Sequence, residues 1–258
     1  FIRFPVETRE DFRKFWQERM QPDPAARIGA DWRKKLKRLR DEPIPFIVIA
    51  DRWGGFFGPL RNLLGVEKLC TLFYDDPAFL EEMMDAEADF IIALTSGILD
   101  AVHIDAFAFW EDMAYNHAPL ISPDMVRRYM LPRYRRVTDF LAGRGVKYAG
   151  VDCDGQVTSL IPVWLDAGLN FAYPFEAQAG MDVLEVRWNF GKELRIWGGV
   201  DKRALAADRP TIDAEIARLM PLIDEGGYIP HTDHSCPPDV PFDNYVYYME
   251  RLAAACGA

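Results

Sequence analysis

The stretch Tyr228-Ile229-Pro230-His231-Thr232-Asp233-His234-Ser235-Cys236 runs from an apolar edge straight into imidazole, carboxylate and thiol groups, and it holds half of the chain's four histidines. His231 and His234 lie three residues apart with Asp233 and Cys236 beside them. Such a set can bind a metal, place an acid or a base, or simply cap a turn. A second stretch, Asp152-Cys153-Asp154-Gly155, follows the apolar run Tyr148-Ala149-Gly150-Val151. Side chains alternate along extended backbone, so Asp152 and Asp154 are expected to share one side and Cys153 to point away. Two carboxylates joined by His231 or His234, with Cys236 nearby, make a donor set for Zn²⁺ or another divalent ion with an open position. Without a metal, the same groups can carry a proton. The two aspartates can also be turn formers that bond their own backbone before Gly155.

Further polar groups stand at the ends of other apolar runs. Glu111 and Asp112 follow Trp110, Glu176 follows Pro174-Phe175, and Asp201-Lys202 follows Gly198-Gly199-Val200. Glu111 is a catalytic candidate. Asp112, Glu176 and Asp201 are candidates for holding substrate, although Asp112 can equally cap and Asp201-Lys202 reads as a structural hydrogen-bonding device. Trp53, Phe56 and Phe57, beside Gly54-Gly55, would suit the flat face of a macrocycle or fill a core. His103 and His117 read as structural, and Cys70 and Cys256 as a buried small hydrophobe and a tail residue.

The elements that must position these groups alternate. Thr8-Arg9-Glu10-Asp11 resembles a capping box opening a helix over residues 6–20, and a second short helix is expected over 30–39. Phe46-Ile47-Val48-Ile49-Ala50 is β-branched, continuously apolar and short, as in a strand buried on both faces. Asp76-Pro77 starts a helix to residue 99. Strands are expected over 101–110, 148–151, 171–173, 194–197 and 228–229, with helices over 123–141, 157–167, 211–222 and 243–255. Six strands alternating with helices, with no hairpin signal, imply a parallel sheet with right-handed crossovers. No GxGxxG follows any strand, and polar groups sit at nearly every strand's carboxyl end. That favours a (β/α)8 TIM-type barrel over an open sheet with one switch point. Two strands are then missing, upstream of Phe1 or within segments that read as irregular. One domain is expected overall, with a helical segment at 1–44 and the barrel at 45–258.

Composition excludes other classes. The chain has 258 residues, 50% of them hydrophobic, a formal net charge of −10 and a pI near 5.0. Nucleic acid is therefore an unsuited partner, and no apolar run reaches the length of a membrane span. The basic block Arg33-Lys34-Lys35-Leu36-Lys37-Arg38-Leu39-Arg40 reads as a solvated helix face. Four cysteines without CxxC spacing and without a signal peptide point to a reduced, cytoplasmic setting. The first residue is Phe rather than Met, as expected of a processed, trimmed or partial chain.

The combination Pro174-Phe175-Glu176, Gly180-Met181-Asp182, Gly198-Gly199-Val200-Asp201-Lys202, Glu225-Gly226-Gly227-Tyr228-Ile229-Pro230 and Asp233-His234 with Pro238-Asp239-Val240 resembles the uroporphyrinogen decarboxylase superfamily. Trp110-Glu111-Asp112-Met113-Ala114-Tyr115, Ile121-Ser122-Pro123 and Leu131-Pro132 fit the same group, so the resemblance covers nearly the whole chain in order. It implies a (β/α)8 barrel and one of two chemistries. One is cofactor-free decarboxylation of a tetrapyrrole carboxylate; the other is zinc-dependent methyl transfer between a corrinoid and an acceptor such as a thiol. The zinc branch carries His-x-Cys-Gly where this chain has Asp152-Cys153-Asp154-Gly155, and a later Cys at or near Cys236. Asp152 and Asp154 therefore replace a His and a Cys, which makes the implied site harder and richer in oxygen. The Arg-rich start of the decarboxylase branch is not seen before Pro45, while His234 matches a His that both branches share. The resemblance thus favours corrinoid-linked methyl transfer, with the corrinoid on a separate small protein and a small-molecule or tetrapyrrole substrate; a homodimer is compatible with it. The alternatives are the decarboxylase and a non-catalytic tetrapyrrole or corrinoid carrier.

Overall fold

Six strands separated by one or more helices follow a helical start in the computed structural model, which describes residues 3–42, 44–50, 52 and 54–257. Asp51 and Trp53, the latter a candidate substrate contact, lie outside the described residues. Two compact units share the chain. The first comprises Phe1–Glu111, Ile121–Val151 and Pro162–Leu169; the second comprises Asp112–Leu120, Asp152–Ile161 and Asn170–Ala258. Helices at the chain's start fall in the first unit together with its strands.

In the first unit, β1 (Ile47–Ile49), β2 (Ala106–Trp110) and β3 (Tyr148–Asp152) lie side by side in chain order. β1 pairs parallel with β2, Ile47 opposite Ala106 and Ile49 opposite Ala108. Thr8 does close a capping box, its side chain accepting from the Asp11 amide, and Asp76 caps helix Pro77–Leu99 by accepting from Phe79 N. That long helix buries Phe79, Leu80, Met83, Met84, Ala88, Phe90 and Ile91, an apolar stripe at helical spacing. Two helices that the sequence did not announce, Gly58–Leu64 and Val66–Asp75, follow the Gly-rich stretch around Gly54-Gly55. Tyr134 packs edge-on against Phe56 and Phe109 with centroids 4.9 and 5.2 Å away, Phe56 and Phe109 tilt together at 5.9 Å, and this cluster sits where β2 ends.

In the second unit, β4 (Phe171–Tyr173), β5 (Arg195–Trp197) and β6 (Tyr228–Ile229) again follow chain order. Phe171 stands opposite Arg195, and Ile196 opposite Tyr228, in parallel register. Helices Val183–Phe190, Lys202–Ala206, Arg209–Glu225 and Phe242–Ala255 connect or follow them. The first two of these were not expected from periodicity, being short and opened by the aspartate caps Asp182 and Asp201.

Parallel strands joined by helices make this an α/β fold, as expected. Six strands are present among the described residues. No helix among the described residues is long and apolar enough to cross a membrane.

Candidate functional site

Chain leaving β3 in the second unit passes Asp152 and Asp154, and Gly155 then turns it with φ of 83°. A Cβ at Gly155 would stand 2.7 Å from the Tyr115 carbonyl oxygen, so only glycine admits this approach. Cys153 is buried, and its Sγ accepts from the Met113 amide at 3.3 Å. It thus turns inward while its two neighbours stay half-buried.

The carboxylates around this turn converge. Asp154, Glu176 and His234 present ligand atoms within 4.8 Å of one another, and so do Asp112, Asp152 and Asp154. Asp154 belongs to both sets. Its Oδ2 lies 3.4 Å from His234 Nε2, and its amide donates to Asp112 Oδ1 at 3.4 Å. Burial, then the neighbouring Asp112 carboxylate, push Asp154 up to about 6, and the His234 imidazole draws it partly back. Asp112 holds a φ of 40°, a left-handed backbone that non-glycine residues seldom adopt.

Glu176 is fixed from two directions. Its Oε2 accepts from Gly155 N at 2.9 Å, and its Oε1 lies 3.7 Å from Lys202 Nζ. Lys202 is buried, and its ammonium also stands 3.4 Å from Asp233, which has no exposed surface. Asp233 further accepts from the amides of Ala177 at 2.9 Å and Lys202 at 3.1 Å. The sequence reads Lys202 as structural and gives Asp233 no role of its own beyond its place between His231 and His234.

Several candidates stand outside this convergence. His231 is exposed, its Nδ1 2.7 Å from the Thr232 carbonyl oxygen and its ring edge-on to Trp197 at 6.4 Å. Trp197 in turn packs on Tyr173 at 4.6 Å, so His231 extends an aromatic row. Cys236 is exposed, and its thiol is raised by partial burial and by Asp233, which opposes the thiolate a metal needs. Asp201 caps helix Lys202–Ala206 and pairs with Arg203 at 2.6 Å. In the first unit Phe57 is wholly buried. It is core, not a face for a macrocycle.

Glu111, expected to be catalytic, is likewise fully buried, also in the first unit. Its carboxylate accepts from the amides of Phe56 at 2.9 Å, Phe57 at 2.6 Å and Gly58 at 3.3 Å, and from Tyr134 Oη at 2.6 Å. It is the N-terminal cap of helix Gly58–Leu64, which has no capping side chain of its own. Gly55 permits this, because a Cβ there would sit 2.1 Å from the Trp110 carbonyl oxygen. Burial pushes Glu111 up to about 7, against the lowering by Tyr134 and the amides. With its oxygens spent on these donors and no exposed surface, Glu111 positions the fold and does not meet a substrate.

Parallel strands whose carboxyl ends gather carboxylates and an imidazole define an α/β protein of the kind that places ligand sites there. The model of the family described as Uroporphyrinogen decarboxylase (URO-D) matches residues 14–254, and the chain belongs to that family. A uroporphyrinogen decarboxylase from Sphingopyxis alaskensis is 26% identical over 194 residues, 69% of this chain and 50% of that protein. The chain thus spans about half the length of that relative. A methyltransferase from Methanosarcina mazei superposes with a TM-score of 0.64 at 18% identity, over 88% of this chain and 62% of its own. That likeness is one of fold.

Proposed function

We propose that this chain belongs to an enzyme that carries out corrinoid-linked methyl transfer with a divalent ion held by Asp154, Glu176 and His234. The observation that carries the reading is the convergence of these ligand atoms within 4.8 Å, with Asp112 and Asp152 beside them around Asp154. The donor set fits a divalent cation. Carboxylates crowd together with a single imidazole, and Asp154 is raised by the burial and like charge that a cation would relieve. Glu176 takes the place that the sequence gave to His231 or Cys236, and the set remains rich in oxygen. A divalent ion bound there supplies Lewis acidity, lowering the pKa of a bound thiol or polarising the oxygen of a methyl donor.

The chain's own residues do the rest. Gly155 N and Lys202 hold Glu176 at the site, and Asp112 and Asp152 add negative charge that keeps a cationic ligand in place. The corrinoid would arrive on a separate small protein.

A second reading has an observation of its own. The Asp154–His234 pair could deliver a proton to a pyrrole carbon as CO₂ leaves, without a metal, which is the chemistry named by the Sphingopyxis relative. The test uses purified protein, stripped with chelator and then reloaded with Zn²⁺ or Mn²⁺, assayed for demethylation of methylcobalamin with a thiol acceptor and for decarboxylation of uroporphyrinogen. Metal-dependent demethylation supports the first reading. Decarboxylation indifferent to chelator supports the second, and tight tetrapyrrole or corrinoid binding with neither reaction would mark a carrier.

A further inference from the structure

We infer that Asp233, together with Lys202, is the positioning device of the candidate site: it sets where Glu176 and His234 stand. This rests on the metal reading above, but it is carried by groups outside the ligand set. Asp233 has no exposed surface, and a carboxylate in that setting is retained only where donors satisfy it. Its Oδ2 accepts from Ala177 N at 2.9 Å, which fixes the residue directly after Glu176. Its Oδ1 accepts from Lys202 N at 3.1 Å, at the start of the helix that follows β5. Its own amide donates to Val200 O at 2.8 Å, and Thr232 bridges Val200 in parallel, so its backbone is stitched onto the continuation of β5. The next residue is His234. One carboxylate therefore ties the chain after β4 to the chain after β5, from a position adjacent to the imidazole.

Lys202 completes the device. Its ammonium stands 3.4 Å from Asp233 and 3.7 Å from Glu176, buried between the two. Shared in this way, its charge holds Glu176 without claiming it wholly. Were Asp233 neutral, Lys202 would turn to Glu176 alone and compete with a cation for that carboxylate.

The test compares Asp233→Asn, Lys202→Met and the double variant by Zn²⁺ titration calorimetry on metal-stripped protein. Asparagine keeps the shape, but it can accept at one of the two amides only and no longer balances the ammonium. Asp233→Asn is expected to weaken Zn²⁺ binding by about tenfold or more. The double variant, which removes the competing ammonium as well, should recover most of that loss, a rescue that a merely structural role would not give. Zn²⁺ affinity in Asp233→Asn within about twofold of the parent, while Glu176→Gln loses binding, would overturn the inference. Should Asp233→Asn fail to fold, Lys202→Met and the double variant are read against each other: equal affinities support the device, and a much weaker double variant overturns it. If the parent binds no Zn²⁺, the metal reading falls by itself, and positioning is read from the His234 ring resonances of the metal-free protein. Asp154→Asn shifts them by removing the contact; a comparable shift in Asp233→Asn supports the inference, and unmoved resonances overturn it.

Discussion

Glu111 and Asp154 are both carboxylates at the end of a parallel strand, yet they are put to different uses. Glu111, in the first unit, is fully buried and accepts from three amides and a tyrosine hydroxyl. Asp154, in the second, is half-buried, meets one imidazole at 3.4 Å and is crowded by other carboxylates. Both are raised, and burial is the largest cause in each. What separates them is the company. Donors around Glu111 use up its lone pairs and build a helix terminus, whereas acceptors around Asp154 leave a site that wants a cation. A perturbed carboxylate is thus a pointer to function only after its partners have been counted.

The sharpest way to break this comparison is to truncate each residue. Glu111→Ala leaves the amides of residues 56–58 and the Tyr134 hydroxyl buried without an acceptor, and should lower unfolding free energy by about 3 to 5 kcal/mol in urea titration. Asp154→Asn should leave metal-free stability within about 1 kcal/mol of the parent while removing metal binding. Equal losses in the two variants would erase the distinction.

The pH dependence of stability comes next in size. The folded state holds the Glu111 proton up to about pH 7, whereas a glutamate carboxyl ordinarily releases it at 4.5. This contribution is fully present below pH 4.5 and lost as pH rises toward 7, levelling above it. Denaturation between these limits should show a decline of about 3 kcal/mol, flattened in Glu111→Gln, which should be less stable at low pH because one carbonyl oxygen cannot serve four donors. A smaller effect sharpens the other side. A metal needs Asp154 ionised, so Zn²⁺ affinity of the parent should fall as pH drops through about 6. Affinity flat between pH 5 and 7 would place the binding groups elsewhere.

The same contrast marks what the sequence could reveal. Alternation of Asp152, Cys153 and Asp154 was legible, because strand geometry dictates which side chains share a side. The strands too were legible, as short apolar runs ending in polar loops. Helix Gly58–Leu64 was not, since the carboxylate that caps it lies 53 residues from Gly58 and nothing local announces a start. The choice between His231 and His234 likewise exceeds local pattern. The two differ by three positions, and only the packing of Trp197 on one side and the turn at Gly155 on the other sends one to an aromatic row and the other to Asp154. Glu176 became a neighbour of Asp154 through the parallel placement of the chain after β4, where its Oε2 meets Gly155 N. All six strands of the sheet match apolar runs legible in the sequence.

The central claim is that Asp154, Glu176 and His234 hold a divalent ion. Elemental analysis of protein purified without chelator or affinity metal, beside Asp154→Ala, Glu176→Gln and His234→Ala, tests it most directly. The account predicts near-stoichiometric metal in the parent and its loss in all three variants. Metal absent from the parent, or retained when these residues are replaced, would contradict it.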